Sequence, residues 1–401
     1  MSCDLKDEIS MEYTSSLSSW NLKGKHVVLR VDFNVPCSRG HVADDFRIRA
    51  VLPTIDYILG DGGTIILLTH IGRPTKNDPK LSTRCLQKWF DNIGYKAYFA
   101  QTIDQAKKLA EQYNNTIIIL ENLRFFPEEQ TPNNFFAHQL AQLGEYFIND
   151  AFGTMHRTDT SMTLLPKQFP KEKRCFGFLT EIELDILNRI IRKPNRPFVA
   201  ILGGGKIASK LPLVGHMLDI ADTILLCPAI VFTFAKASGK TIGKSLIDES
   251  KIDTCIEIMK AAQKKEVKLE FPADYQVAKG TLNGPLSYTN NDSIEDEFYG
   301  ISIGPETSAL YSDIIKKAGT IFFNGTMGFA DQPETMHASH TLLKNMAHAR
   351  GTKIIAGGDS VAAAQSIGVA AAIDHLSTGG GATLAYLSGT PLPGLDALYD
   401  D

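Results

Sequence analysis

The 401-residue chain has no excess of basic charge: 41 Lys and Arg stand against 45 Asp and Glu, a formal net charge of −4. That balance lacks the electrostatic footprint of a nucleic-acid binder, so any cationic site must arise from placement and not from number. Cysteine is scarce and scattered, at Cys3, Cys37, Cys85, Cys175, Cys227 and Cys255, with no CxxC pair. This excludes a small disulfide scaffold and a zinc ribbon, and it predicts reduced thiols in a cytoplasmic protein. No apolar run approaches the roughly 20 residues that cross a bilayer as a helix. The first 25 residues carry Asp4, Asp7, Glu8 and Glu12 and no apolar segment, which argues against a secretory signal. Residues 1–20 are polar and serine-rich, and read as a loosely held extension. Neither HExxH nor GxxxxGK[ST] occurs. His337 and His340 stand three apart with no third ligand, which reads as a solvated or capping pair.

What is present is an alternation of short β-branched runs with longer helical patterns. Strands are predicted over 26–31, 64–69, 95–99, 116–120 and 146–150, with helices near 45–60, 82–93, 103–113 and 133–144. A second series places strands near 198–202, 223–227, 267–271, 320–324 and 352–356. The expected class is α/β, with two doubly wound, Rossmann-like parallel-sheet domains. Their length suits two cores better than one. Between them FLTEIELDILNRIIRKPNRP (178–197) has helical periodicity and ends at Pro194 and Pro197, which predicts a stiff linking helix with hinges at its ends. The predicted boundaries are 1–178, 179–197, 198–384 and a final segment 385–401. Residues 281–299 are rich in turn formers and acids, and read as an exposed loop.

The polar residues at the strand ends divide the chain in two. In the first half the apolar runs end in cations: Arg47 follows Asp44 and Asp45, His70 and Arg73 follow TIILLT, and Arg124 and Arg157 follow later strands. Converging guanidinium forks match phosphate and carboxylate oxygens, and Asp32 and Asn34 can accept from a hydroxyl or orient an arginine. Any one such arginine also reads as a solvated surface charge; it is their repetition that points to a phospho-acid. In the second half the runs end in glycine, as in FVAILGGGKIASK, TIFFNGTMGF and TKIIAGGDS. Bare backbone admits phosphates closely. Gly203, Gly205 and Ala208 match GxGxxA, but the expected ribose-binding acid is absent from the end of TILLCPAI, which disfavours a dehydrogenase. Lys206 and Lys210 stand four apart, so within a helix both ammonium groups would share a face near its N-terminus. Two solvated lysines are the plain alternative. GGDS (357–360) offers a carboxylate for a nucleotide-borne Mg²⁺, and STGGGA (377–382) offers an amide nest. The pattern predicts two facing half-sites for two phosphorylated ligands.

RVDFNVP (30–36), HIGRP (70–74), LENLRFF (120–126), NDAFGTMHR (149–157), RPFVAILGGGK (196–206), GGDS and STGGGA stand in an order that resembles the phosphoglycerate kinases from about residue 20 to the end. The resemblance implies a monomeric, two-lobed, cytoplasmic enzyme of glycolysis. It would move a phosphoryl group reversibly between 1,3-bisphosphoglycerate and ADP, giving 3-phosphoglycerate and ATP with Mg²⁺. It would need neither nucleic acid nor membrane. Carried over by position, the substrate residues are Asp32, Phe33, Asn34, Arg47, His70, Ile71, Gly72, Arg73, Arg124 and Arg157. Nucleotide residues are Gly204, Lys206, Lys210, Gly304, Asp331, Gly357, Gly358, Asp359 and Ser360, with Asp359 on the metal. Arg47, Lys206, Lys210, Gly358 and Gly380 would act in catalysis, with Gly379 to Gly381 stabilising transferred charge. The segment after about 385 would return to the first lobe. The chain departs from the family at GGGKIASK, where Ser209 replaces an acid, at CPAI (227–230) for GGGM, at Asp331 for a glutamate, and at GGDS for GGDT. These changes leave two other readings: a non-catalytic phosphoglycerate binder with an altered nucleotide pocket, and a kinase that uses another nucleotide.

Overall fold

The structure is a computed structural model that describes residues 16–38 and 40–400. It divides into two compact units, residues 1–184 with 391–401, and residues 185–390. Most of the expected N-terminal extension lies outside the described residues. Its last residues are packed: Leu17 is fully buried, and the Trp20 ring lies 4.7 Å from that of Tyr146.

The first unit holds a six-stranded parallel sheet of β1 (His26–Val31), β2 (Thr64–Leu68), β3 (Ala97–Ala100), β4 (Ile117–Leu120), β5 (Tyr146–Asp150) and β6 (Arg174–Phe176). Its spatial order is β3-β4-β2-β1-β5-β6. The strands are near-continuous apolar runs because helices cover both faces of such a sheet. On one face α1 (Phe46–Gly60) buries Ile48, Val51, Ile55 and Ile58, and α2 (Arg84–Asn92) buries Leu86 and Phe90. β6 is a further short strand that the periodicity did not announce. Its Arg174 is 2 % exposed and donates from Nε to Leu398 O at 3.2 Å, which ties the C-terminal residues to this unit.

At the end of β5, Asp150 is fully buried. Its carboxylate accepts from Thr54 Oγ1 at 2.7 Å and from the amide of Thr180 at 2.9 Å, Thr180 lying on α3 (Phe178–Arg192). Burial pushes the Asp150 pKa from 3.8 up to about 6. The unfolded chain therefore releases this proton near pH 3.8, while the folded chain holds it to about 6. Between those values the folded state binds more protons, so this contribution to stability is full below the window and is lost as pH rises through it. Asp150→Asn carries no such charge. Its stability relative to the parent should improve by about 2–3 kcal/mol from pH 3.5 to 6.5, measured by denaturant unfolding at each pH. A difference that stays constant with pH would contradict this assignment.

The linking helix α3 stops at Arg192, short of the predicted Pro197, because Pro194 disfavours helical geometry in the residue before it and cannot donate within a helix. The division between units falls within α3, at Leu184 and Asp185.

In the second unit a parallel sheet comprises β7 (Phe198–Gly204), β8 (Thr223–Ala229), β9 (Lys268–Glu270), β10 (Thr320–Asn324), β11 (Thr352–Ala356) and β12 (His375–Ser377), in the order β9-β8-β7-β10-β11-β12. A separate antiparallel sheet joins Tyr275–Lys279 to Leu286–Tyr288 on one side and to Phe298–Ile303 on the other. The stretch 281–299, read as an exposed loop, thus contains a strand. Leu286–Tyr288 is three residues long and largely exposed, too short for alternation to register.

In both units the chain steps from its first strand to one side of the sheet and later to the other. The reversal falls between β1 and β5 in the first unit and between β7 and β10 in the second. Parallel strands present their carboxyl ends along one edge, and at such a reversal the flanking loops part to leave a crevice.

Candidate functional site

In the first unit the loop after β1 carries Asp32, Phe33 and Asn34. Phe33 is buried and its amide donates to Thr69 Oγ1 at 2.9 Å, which points its two polar neighbours away from the core. Asp32 Oδ2 accepts from Arg47 Nη1, in the first turn of α1, at 2.6 Å. Asn34 Oδ1 accepts from the amide of Gly72 at 2.8 Å. The loop after β2 is held in turn by Asn122, whose Nδ2 donates to Ile71 O at 2.7 Å. Gly72 has φ +66°, and a Cβ there would stand 2.8 Å from Leu81, so this turn needs glycine. Gly72 O accepts from Arg124 Nη1. Arg124 is 6 % exposed and its Nε is buried without a partner among the described residues. Arg157 pairs with Asp159 at 3.3 Å. Arg73 is exposed and makes no hydrogen bond or ion pair among the described residues.

His70 reports on the convergence of these groups. It is 3 % exposed and its Nδ1 has no partner among the described residues. Burial, then the charges of Arg30, Arg157, Arg47 and Arg73, hold its pKa well below 6.5. Four guanidinium groups from separate segments therefore act on one neutral imidazole. Arg30 was missed in the sequence reading. Its signal was a cation inside the apolar run VVLRV, which in a central strand needs a buried partner. It is fully buried, donates from Nε to Ser161 Oγ at 2.8 Å, and faces Glu129 at 4.0 Å.

In the second unit Lys206 is the residue before α4 (Ile207–Met217), exposed and outside helical geometry. Lys210 is 7 % exposed. Its Nζ donates to Gly203 O at the end of β7 and to Asn324 O, at 3.3 Å, at the end of β10. The expected side-by-side ammonium pair is thus corrected: Lys210 folds back into the strand reversal, where backbone carbonyls supply the acceptors, and Lys206 alone projects. Burial lowers the Lys210 pKa to about 8, against the opposing pull of Cys227 and Asp359. Glycine at 325, with φ +101°, makes this possible, because a Cβ there would overlap Gly203 O and Lys210 Nζ. Ser209, at the position of the missing acid, donates to Lys206 O at 2.9 Å.

Gly357 has φ +96° and precedes α5 (Gly358–Ser366). Asp359, in the first turn, is exposed with no partner among the described residues, while Ser360 is buried and its Oγ accepts from the Gly325 amide at 2.9 Å. Gly380, with φ +48°, precedes α6 (Gly381–Leu387), and the space a side chain would occupy at Gly358 and Gly380 is open. Ser377 Oγ accepts from the Gly379 amide at 3.1 Å. A groove of ≈ 690 Å³ runs along Gly205, Lys206 and Ser209 to Leu246 and Asp248. Another, of ≈ 340 Å³, borders Gly304. Asp331 is exposed. Of the CPAI segment, Cys227 and Ile230 are fully buried and serve the core.

Residues 17–390 match the family model "Phosphoglycerate kinase". The chain belongs to the phosphoglycerate kinase family. A phosphoglycerate kinase of Pelotomaculum thermopropionicum is 38% identical over 394 residues, covering 95% of this chain and 98% of the relative. One of Clostridium perfringens is 38% identical over 386 residues, covering 94% and 97%. Among solved structures, the phosphoglycerate kinases of Coxiella burnetii and Pyrococcus horikoshii each align with TM-score 0.82 at 29% identity, over 96% of this chain and 98% of theirs. A phosphoglycerate kinase acts on a nucleotide, and the strand ends of the second unit supply the glycine-rich backbone that phosphates approach.

Proposed function

We propose that the chain catalyses reversible phosphoryl transfer between 1,3-bisphosphoglycerate and ADP, giving 3-phosphoglycerate and ATP. The observation that carries this reading is the gathering of Arg47, Arg73, Arg124 and Arg157 with Asp32, Asn34 and His70 on segments that follow the strands of the first unit, in a chain that matches the family over residues 17–390. A phosphoglycerate presents a carboxylate, a hydroxyl and a phosphate. Arg73, Arg124 and Arg157 would neutralise its anionic ends, while Asp32 and Asn34 take the hydroxyl. His70, uncharged, donates or accepts without adding to the crowd of cations.

Transfer from an acyl phosphate to a nucleotide needs no protein nucleophile, so the residues act by position and charge. Arg47, fixed on one side by Asp32, keeps guanidinium donors for charge on the transferring group. Lys210 exchanges its backbone acceptors for phosphate oxygens, and Lys206 approaches from solvent. The amides of Gly379, Gly380 and Gly381, with Gly358, meet developing negative charge. Gly204, Gly304, Gly357, Ser360 and Asp331 border the nucleotide.

Asp359 fits Mg²⁺: an exposed carboxylate with no partner among the described residues is the hard oxygen donor this ion takes alongside phosphates. Bound there with the nucleotide, the ion would neutralise phosphate charge. The retained Lys206, Lys210 and Asp359 leave nothing in the geometry that favours a non-catalytic binder. We place the enzyme in the cytoplasm as a monomer. No helix among the described residues is long and apolar enough to cross a membrane.

The test is 3-phosphoglycerate-dependent formation of ADP from ATP and Mg²⁺, drawn forward by glyceraldehyde-3-phosphate dehydrogenase and NADH. The expected signal requires both substrates. Folded protein with no signal under ATP or GTP would overturn the kinase reading.

A further inference from the structure

The six cysteines were expected to be reduced, yet Cys37 and Cys85 are joined in a disulfide, with their Cα atoms 6.9 Å apart and a sequence separation of 48. Sequence spacing concealed the pair because one member lies in a two-residue strand that ends the Asp32 loop and the other in the first turn of α2. The remaining cysteines among the described residues, Cys175, Cys227 and Cys255, are free and buried. Burial raises the pKa of each of these thiols, which leaves them poor nucleophiles.

The disulfide is accessible. Both of its cysteines line a groove of ≈ 1240 Å³, and Cys37 is half-buried where Cys85 is 8 % exposed. Lys80, Arg84 and Lys88 line the same groove, with Asp91 and Glu121 as its acids. Glu121 is engaged by Ser82 Oγ at 2.8 Å and by the Thr83 amide at 3.0 Å, and Asp91 accepts from the Ala97 amide at 3.4 Å, so both acids are held in place by neutral donors beside the three cations.

We infer that Cys37 and Cys85 form a reversible thiol–disulfide site, opened by a dithiol that enters this groove, and that its state sets the affinity for phosphoglycerate. The second part rests on the function proposed above. A thiolate of the dithiol attacks the more exposed sulfur, that of Cys37. The new S–S bond joins the reductant to Cys37, the Cys37–Cys85 bond breaks, and its electron pair leaves on Cys85. A helix N-terminus stabilises a thiolate leaving group, and Cys85 stands in the first turn of α2 and then takes a proton. The second thiolate of the reductant then attacks the reductant's own sulfur in the mixed disulfide and releases Cys37. The dithiol loses two electrons and the protein's pair gains them.

The coupling follows from what the bond connects. Cys37 lies three residues beyond Asn34, whose side chain holds Gly72, and five beyond Asp32, which holds Arg47. Cys85 stands two residues beyond Thr83, whose Oγ1 donates to Leu120 O at 2.8 Å, beside the Asn122 side chain that carries Leu81 O and Ile71 O. The disulfide therefore joins the loop bearing Asp32 and Asn34 to the frame of the loop bearing His70 and Gly72. Opening it removes the covalent link and leaves the two loops held by the Phe33–Thr69 and Asn34–Gly72 hydrogen bonds.

The experiment equilibrates the full chain in mixtures of oxidised and reduced dithiothreitol. Each sample is quenched with an alkylating agent for peptide mass analysis, and binding of 3-phosphoglycerate is measured by calorimetry in parallel. Cys37 and Cys85 should become alkylated together as the buffer becomes reducing, with Cys175, Cys227 and Cys255 protected. Affinity should fall about fivefold or more on reduction. Cys85→Ser should bind like the reduced parent in every buffer, and Cys37→Ser should behave the same, which guards against a folding defect of either variant. Free thiols at Cys37 and Cys85 without reductant, or equal affinity in the two states, would overturn the inference. Intact binding without phosphoryl transfer would refute the kinase reading and leave this one standing.

Discussion

Arg47→Ala should lower kcat by roughly 10²-fold or more while changing KM for 3-phosphoglycerate only a few-fold. Two features single out this arginine. It is 29% exposed, unlike the deeply buried Arg124, so part of its guanidinium is open to a ligand. It is also aimed: the 2.6 Å contact with Asp32 fixes one terminal nitrogen and with it the plane of the fork. A preoriented cation costs little reorganisation when charge develops on the transferring group, and so its stabilisation is concentrated in the transition state. Arg73, exposed and without a partner among the described residues, should instead contribute uniform binding. Its alanine variant should raise KM with kcat nearly unchanged. Arg47→Lys would keep the charge and lose the fork, and should recover only part of the rate. Steady-state kinetics of the three variants separates these roles. A rise in KM alone for Arg47→Ala would remove it from transition-state stabilisation.

How much of this was legible in the sequence depended on the kind of signal each feature leaves. The central strands were read closely, as with β1 at His26–Val31 and β10 at Thr320–Asn324, because a buried parallel strand is a continuous apolar run bounded by turn residues. Polar clusters at strand ends were equally plain, and their family order identified the resemblance. What escaped was whatever depends on contact between distant segments. Lys206 and Lys210 look equivalent by spacing, yet one projects and the other is drawn onto the carbonyls of Gly203 and Asn324, a distinction set by the pairing of β7 with β10. The Cys37–Cys85 bond and the Arg30–Glu129 pair belong to the same class, each joining residues that no local pattern relates. The antiparallel strand Leu286–Tyr288 was hidden for a different reason, since a short exposed strand shares the composition of a loop.

The largest effect on stability is expected at Arg30. This residue sits in the middle of the sheet, in register with Leu68 on one side and Asn149 on the other, and is wholly buried. Burial lowers its pKa, and the pull of Glu129 opposes that shift. Glu129, itself buried, accepts from Ser161 Oγ at 2.6 Å and from the Ser161 amide at 3.0 Å, and burial raises its carboxyl pKa from 4.5 to about 7 in spite of Arg30. Arg30→Ala would leave that carboxylate and Ser161 facing a cavity, and should cost about 3–5 kcal/mol at pH 8. The sign with pH follows from the acid. A carboxyl whose folded pKa exceeds its unfolded value contributes stability at low pH, and this is lost as pH rises from 4.5 through the folded value. Removing Arg30 raises the folded value further, so the deficit of Arg30→Ala should shrink toward pH 5, where Glu129 is neutral, and grow toward pH 8. Arg30→Met with Glu129→Leu removes both charges and fills the space, and should recover most of the loss at pH 8. Urea unfolding of the three variants at pH 5, 6.5 and 8 measures this. A loss below about 1 kcal/mol at pH 8, or a deficit independent of pH, would mean that Arg30 and Glu129 are not coupled as a buried pair.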